Sequence, residues 1–101
     1  MTFRRAARRD ANHAEVVEAL LGIGAVVLDN GSVGDGNPDL WVGFRGNWTA
    51  IEVKDGKKSP SKRRLTAAQE KLHQKVTSAG CAIFVVKNVD EALAIFGAKA
   101  A

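Results

Sequence analysis

Two short apolar runs, Leu40–Phe44 and Trp48–Lys54, are separated only by Arg45-Gly46-Asn47, and this spacing constrains the fold more than any other feature of the chain. So short a link leaves no room for a crossover, so the two runs must pair as antiparallel strands. Gly46-Asn47 reads as the two-residue turn, since Gly-Asn is a recognised hairpin pair. A further strand is expected at Ala25–Asp29 (AVVLD), before the glycine-containing loop Asn30–Asn37. Cys81–Lys87 (CAIFVVK) is an unbroken apolar run, the pattern of a strand covered on both faces. A helical segment separates this run from Trp48–Lys54, which predicts parallel pairing and a right-handed crossover.

Three stretches carry helix signals. Val16, Val17, Leu20 and Leu21 form a stripe at helical spacing, predicting a helix from about Ala11 or His13 to Leu21. Asn12 and Glu15 stand in capping spacing before it, and Gly22 and Gly24 end it. Thr66 and Gln69 match a capping box for a second helix reaching Ser78, with Leu65, Leu72 and Val76 turned inward, Ala68 near them, and Gly80 as the stop. Asn88 and Glu91 open a third, from about Val89 to Phe96. The expected order is α-β-β-β-α-β-α: an α/β domain with a small mixed sheet flanked by helices.

With 101 residues, 46% of them apolar and 26% charged, the chain suits one domain spanning 1–101, with a basic, frayed start at 1–10. The single Cys81 excludes a disulfide scaffold, and no Cys/His spacing suggests structural zinc. No apolar run approaches the ~20 residues of a membrane span. A lone thiol and a start without an apolar signal region lead to the expectation of a cytoplasmic protein. The formal charge of +4 is concentrated in two places. Arg4, Arg5, Arg8 and Arg9 form one cluster, and Lys57, Lys58, Lys62, Arg63 and Arg64, with Lys54 just before them, form the other. Such clusters suit a phosphate backbone, and equally a solvated surface.

Asp39, Glu52 and Lys54 form the constellation with chemical content. Side chains alternate along a strand, so Glu52 and Lys54 share a face. With Gly46-Asn47 as the turn, Asp39 falls opposite Lys54, diagonal to Glu52, on that same face; a one-residue slip would reverse it. Two carboxylates ~4 Å apart repel by about 4 kcal/mol at an effective dielectric near 20. A hard divalent cation, Mg²⁺ or Mn²⁺, offsets that repulsion, and a neighbouring lysine can hold an attacking water. The structural alternative is a Pro-Asp turn beside a surface ion pair.

Asn37-Pro38-Asp39-Leu40 with Ile51-Glu52-Val53-Lys54 resembles the PD-(D/E)XK nuclease signature, and the element order resembles that superfamily's restriction-endonuclease-like core. Within it the chain is similar to the minimal VRR-NUC domains of phages and bacteria, through DANHAEVVEALLGIGAVV, GNPDLWVG, IEVKDG and LTAAQEKLH. The resemblance implies that Asp39 and Glu52 are metal ligands, with the Val53 main-chain carbonyl as a further donor and Lys54 as the catalytic lysine. It places Glu15 as the first-helix acid completing the metal site, with Glu18 as a competitor. It places Gln69 as a residue orienting water or phosphate. Glu15 and Gln69 each stand three residues after a candidate N-cap, so either could instead close its own helix start.

The expected function is a Mg²⁺-dependent DNA endonuclease, selective for branched DNA or Holliday junctions and acting as a homodimer; a phage-encoded protein would work in the bacterial host cytoplasm. The alternatives are a less selective DNA-processing nuclease and a non-catalytic nucleic-acid-binding module on the same fold. His13 and His73 are expected in packing or surface roles, and Asp35 in a turn. Cys81 is expected to be buried. Trp41 and Trp48 could stack on bases but are expected to pack.

Overall fold

The computed structural model describes residues 11–30, 34 and 36–98. Arg4, Arg5, Arg8, Arg9 and Asp35 lie outside them, as does the end of the chain from 99. The elements are α1 (His13–Gly22), β1 (Val26–Asp29), β2 (Leu40–Phe44), β3 (Asn47–Val53), a 3₁₀ turn (Pro60–Arg63), α2 (Ala67–Ser78), β4 (Ile83–Val86) and α3 (Val89–Ile95). The sheet order is β1-β2-β3-β4, with the first two pairings antiparallel and the third parallel. This is the α/β, mixed-sheet architecture that the run lengths and links predict.

The hairpin turn differs from expectation. Phe44 pairs with Asn47, so the turn residues are Arg45-Gly46, and Asn47 is the first residue of β3. Both have positive φ, 49° and 84°, as a primed two-residue turn requires. The preference for Gly-Asn is outweighed by the right-handed twist of the strands, which Arg45 accommodates in the left-handed region. The partner of Trp48 becomes Gly43 instead of Arg45, a slip of two residues. Because side chains repeat every two residues, every face is preserved.

One face of the sheet carries a dry core. Leu40, Val42, Ile51, Val53 and Val86 pack against Val16 and Leu20 of α1 and Ala92 and Leu93 of α3. Phe44 meets Phe96 edge-on, with ring centroids 5.6 Å apart. Asn88 caps α3, its Oδ1 accepting from the Glu91 amide at 2.8 Å.

The opposite face is looser. No residue of α2 is buried. Leu65, Leu72 and Val76 are half-buried, and Ala68 is exposed. The expected doubly covered strand is also corrected: β4 is a sheet edge, with Phe84 and Val85 both more than two-fifths exposed. Its apolar run supplies only Val86 to the core. Cys81 precedes β4 and is exposed, because the strand starts later than the apolar run. Trp41 and Trp48 lie 40% and 58% exposed instead of packed. Among the described residues, no helix is long and apolar enough to cross a membrane.

Candidate active site

The open ends of β2 and β3 build the site. The last rung of the ladder is Leu40–Ile51, so Asp39 stands just before β2, outside the paired ladder instead of opposite Lys54. The Asp39 backbone is tied down by Asn30, whose amide donates to the Asp39 carbonyl at 2.7 Å. The Asp39 carboxylate reaches β3, where Oδ2 accepts from the Val53 amide at 2.7 Å. Glu52 is 1% exposed, a carboxylate at core depth near the end of β3. Burying such a charge is costly unless it is compensated, and packing alone does not explain it. Lys54 is buried beside it in sequence, and its amide donates to the Val86 carbonyl at 2.8 Å, fixing the end of β3 against β4.

Gln69 joins this group from α2. Lys54 Nζ donates to Gln69 Oε1 at 2.9 Å. The same oxygen accepts from the Thr66 amide at 2.8 Å, and Thr66 Oγ1 accepts from the Gln69 amide at 3.2 Å. One side chain therefore both closes the capping box of α2 and holds the lysine. Gly36 makes this docking feasible. A Cβ there would lie 2.6 Å from the Ala68 carbonyl carbon and 2.9 Å from the Gln69 nitrogen, at a φ of 79°. A bare backbone is thus needed where the loop before Asp39 presses on the first turn of α2.

Asn12 does not cap α1 by its side chain. Its Nδ2 instead donates to the carbonyls of Lys54, at 3.0 Å, and Lys87, at 2.9 Å. Two parallel strand ends offer adjacent carbonyls, and an amide bridging them outcompetes the local cap. The tie brings the start of α1 to the end of β3. Glu15, on the first turn, is exposed, as is Glu18. Among the described residues, no three His, Cys, Asp or Glu side chains gather into a metal-holding group, so Glu15 is not assembled with Asp39 and Glu52.

His73, expected in a packing or surface role, stands one turn beyond Gln69 and near Lys54. Burial, and secondarily the Lys54 ammonium, lower its pKa below the ordinary histidine value, favouring neutral imidazole. His13 is buried, with Nε2 3.0 Å from Asp29 Oδ2, a pairing between α1 and β1 away from the site.

The basic loop leaves β3 through a shaped exit. Asp55 Oδ1 accepts from the Lys57 amide at 2.9 Å, and its carbonyl accepts from the Lys58 amide at 3.1 Å. Gly56 donates to the Lys87 carbonyl at 3.0 Å, so close that a Cβ would lie 2.9 Å from that oxygen. Beyond this anchor Lys57, Lys58, Lys62 and Arg64 are exposed and Arg63 is half-buried.

A solved structure of a VRR_NUC domain is similar to this chain, with a TM-score of 0.63, 23% identity, and coverage of 87% of this chain and 97% of that one. The chain has the fold of a VRR_NUC domain. No protein-family model and no curated protein matches the sequence. In this VRR_NUC-like fold the acids and the lysine stand at the ends of β2 and β3, and the glutamine on the crossover helix.

Proposed function

We propose that the domain is a metal-dependent nuclease that hydrolyses DNA phosphodiester bonds. The observation that carries this reading is the Asp39 carboxylate bonded to the Val53 amide, the residue between Glu52 and a lysine held by Gln69. The donor set fits Mg²⁺ or Mn²⁺: two carboxylates, one of them buried, with the Val53 main-chain carbonyl between Glu52 and Lys54 as a further hard oxygen. Glu15, exposed on the first turn of α1 and not gathered with the two acids, would join the set only by moving toward a bound cation. A bound cation would supply Lewis-acid polarisation of the phosphoryl oxygen and neutralise developing charge.

The remaining work falls to the chain itself. Lys54 Nζ has three protons and spends one on Gln69 Oε1, which leaves donors for the attacking water and a non-bridging phosphate oxygen. Gln69 fixes the ammonium's direction, because its oxygen is itself held by the Thr66 amide. Lys57, Lys58, Lys62, Arg63 and Arg64 would grip the backbone leaving the site, with Arg4, Arg5, Arg8 and Arg9 adding to the footprint. Phosphate contacts of this kind set register without reading bases. We take the substrate to be branched DNA such as a four-way junction. Symmetric incision of such a junction needs two sites, for which a C₂ homodimer is the simplest arrangement.

The test is cleavage of a labelled four-way junction, a linear duplex and a single strand in Mg²⁺ or Mn²⁺. Wild type should cut, chelation of the metal should stop cutting, and Asp39→Asn should abolish it while leaving DNA binding within about twofold. Equal cutting of duplex and junction would favour the less selective nuclease. A wild type that binds junctions and cuts no substrate with either metal would leave a non-catalytic DNA-binding module.

A further inference from the structure

A groove of about 560 Å³ runs between α2 and the outer sheet face. Trp41, Trp48, Ala50, Leu72, Val76 and Ile83 line it, and no lining residue among those described is charged. We propose that this groove is a stacking site for unpaired bases of the nucleic-acid strand bound at the active site, with Trp41 and Trp48 as its aromatic surface.

The groove is continuous with the site. Trp41 lies two residues past Asp39, and Ala50 two before Glu52; two residues along a strand advance about 7 Å. Trp41 and Ala50 are paired, and Ala50 shares its face of β3 with Glu52. The same helix walls both: Gln69 meets Lys54, and Leu72 and Val76 follow one and two turns on. A strand with its phosphate at Lys54 therefore has neighbouring nucleotides at the groove. The proposal rests on the nuclease reading for this placement.

The chemistry of the walls selects bases. Trp48 lies across Gly43, where a Cβ would sit 3.1 Å from the indole's Cη2 and Cζ3, yet the residue stays 58% exposed. The ring is thus supported on one side by backbone and open elsewhere, as a stacking platform requires. Around α2, Lys75 stands about 60° from Leu72, on the groove's flank, and Glu70, the sole acid of the helix, about 160° away. An uncharged aromatic trough with a basic flank matches a nucleobase beside its phosphate. Only an unpaired base presents its π-face for this purpose, so the feature recognised is single-stranded character next to the scissile bond.

Trp41 and Trp48 are the chain's two tryptophans, so their emission reports directly on the groove. The experiment titrates the full chain, without divalent metal, with oligo(dT) and with a blunt linear duplex at fixed salt. Oligo(dT) should quench the emission. Trp48→Leu should weaken oligo(dT) binding by about 5- to 150-fold, Trp48→Phe should recover most of it, and duplex affinity should change less than about twofold. Unquenched wild-type emission at saturating oligo(dT) overturns the proposal without any variant having to fold. Equal losses for oligo(dT) and duplex, or none, also overturn it. So does a wild-type dimer that Trp48→Leu dissociates with DNA affinity unchanged, since a second copy then fills the groove. A protein that stacks oligo(dT) yet cuts nothing in Mg²⁺ or Mn²⁺ removes the nuclease reading alone; one that cuts while Trp48→Leu binds normally removes only the stacking site.

Discussion

The two faces of the sheet are built to different standards. Under α1 and α3 the side chains are Val, Leu, Ile and Ala, and six of them, Val16, Leu20, Leu40, Val42, Ile51 and Ala92, have no exposed surface. Under α2 no helical residue is fully buried, and the contacts are a polar chain from Lys54 through Gln69 to Thr66, an open groove and a glycine pressed against backbone. Close packing on one face supplies the cooperativity that a small domain needs. The other face can then expose polar groups and indoles, at little cost to the fold.

The largest effect should come from breaking that division directly. Leu20→Ala removes a fully buried side chain and leaves a cavity under α1, which should cost about 2–5 kcal/mol. Leu72→Ala removes a half-buried side chain from the groove wall and should cost less than about a third of that. Urea midpoints at a shared m-value measure both. Equal losses would mean that α2 belongs to the core as fully as α1 does.

A smaller effect should come at the junction between site and helix. Gln69→Ala removes the capping-box side chain and the acceptor for Lys54 together. Stability should fall by about 1 kcal/mol. If the nuclease reading holds, kcat should fall on the order of 10- to 100-fold with KM little changed, because a misplaced ammonium still attracts phosphate. Thr66→Ala weakens the same cap but leaves the Lys54–Gln69 bond, so it should lose comparable stability and less activity. Parallel losses in both properties for the two variants would reduce Gln69 to a cap.

The sequence made the architecture legible where chain length limits the options. A link of a few residues between Phe44 and Trp48 permits only a hairpin, and a helix between β3 and β4 permits only a parallel return. The face shared by Glu52 and Lys54 was legible for the same reason: a slip of two residues leaves the alternation along β3 intact, so the wrong turn did not move them. What could not be read depends on competition among distant groups. Asn12 looks like a helix cap until the carbonyls of Lys54 and Lys87 are placed beside it. The apolar run through Phe84 and Val85 looks like a covered strand until the sheet order leaves it at the edge. Trp48 looks like a core residue until Gly43 opposite is seen to support the ring from below.

The most delicate contrast between the faces is electrostatic, and His73 reports it. It stands on α2 near Lys54, and its Nε2 is buried without a hydrogen-bond partner among the described residues. Burial first, and the ammonium second, lower its pKa in the folded state below the unfolded value of 6.5. The unfolded chain therefore binds this proton more readily, and stability must fall as the proton is taken up. The stabilising contribution is present in full above pH 6.5 and is lost as the pH falls through the lowered folded-state value. Urea midpoints measured from pH 7.5 down to 5 should fall more steeply for wild type than for His73→Gln, in which the titrating ring is gone while His13 is common to both. Lys54→Met in the wild-type background should soften the slope only in part, because burial is the larger cause. Superimposable profiles for wild type and His73→Gln would mean that the imidazole is solvated, and that the polar face is open to water right up to the lysine.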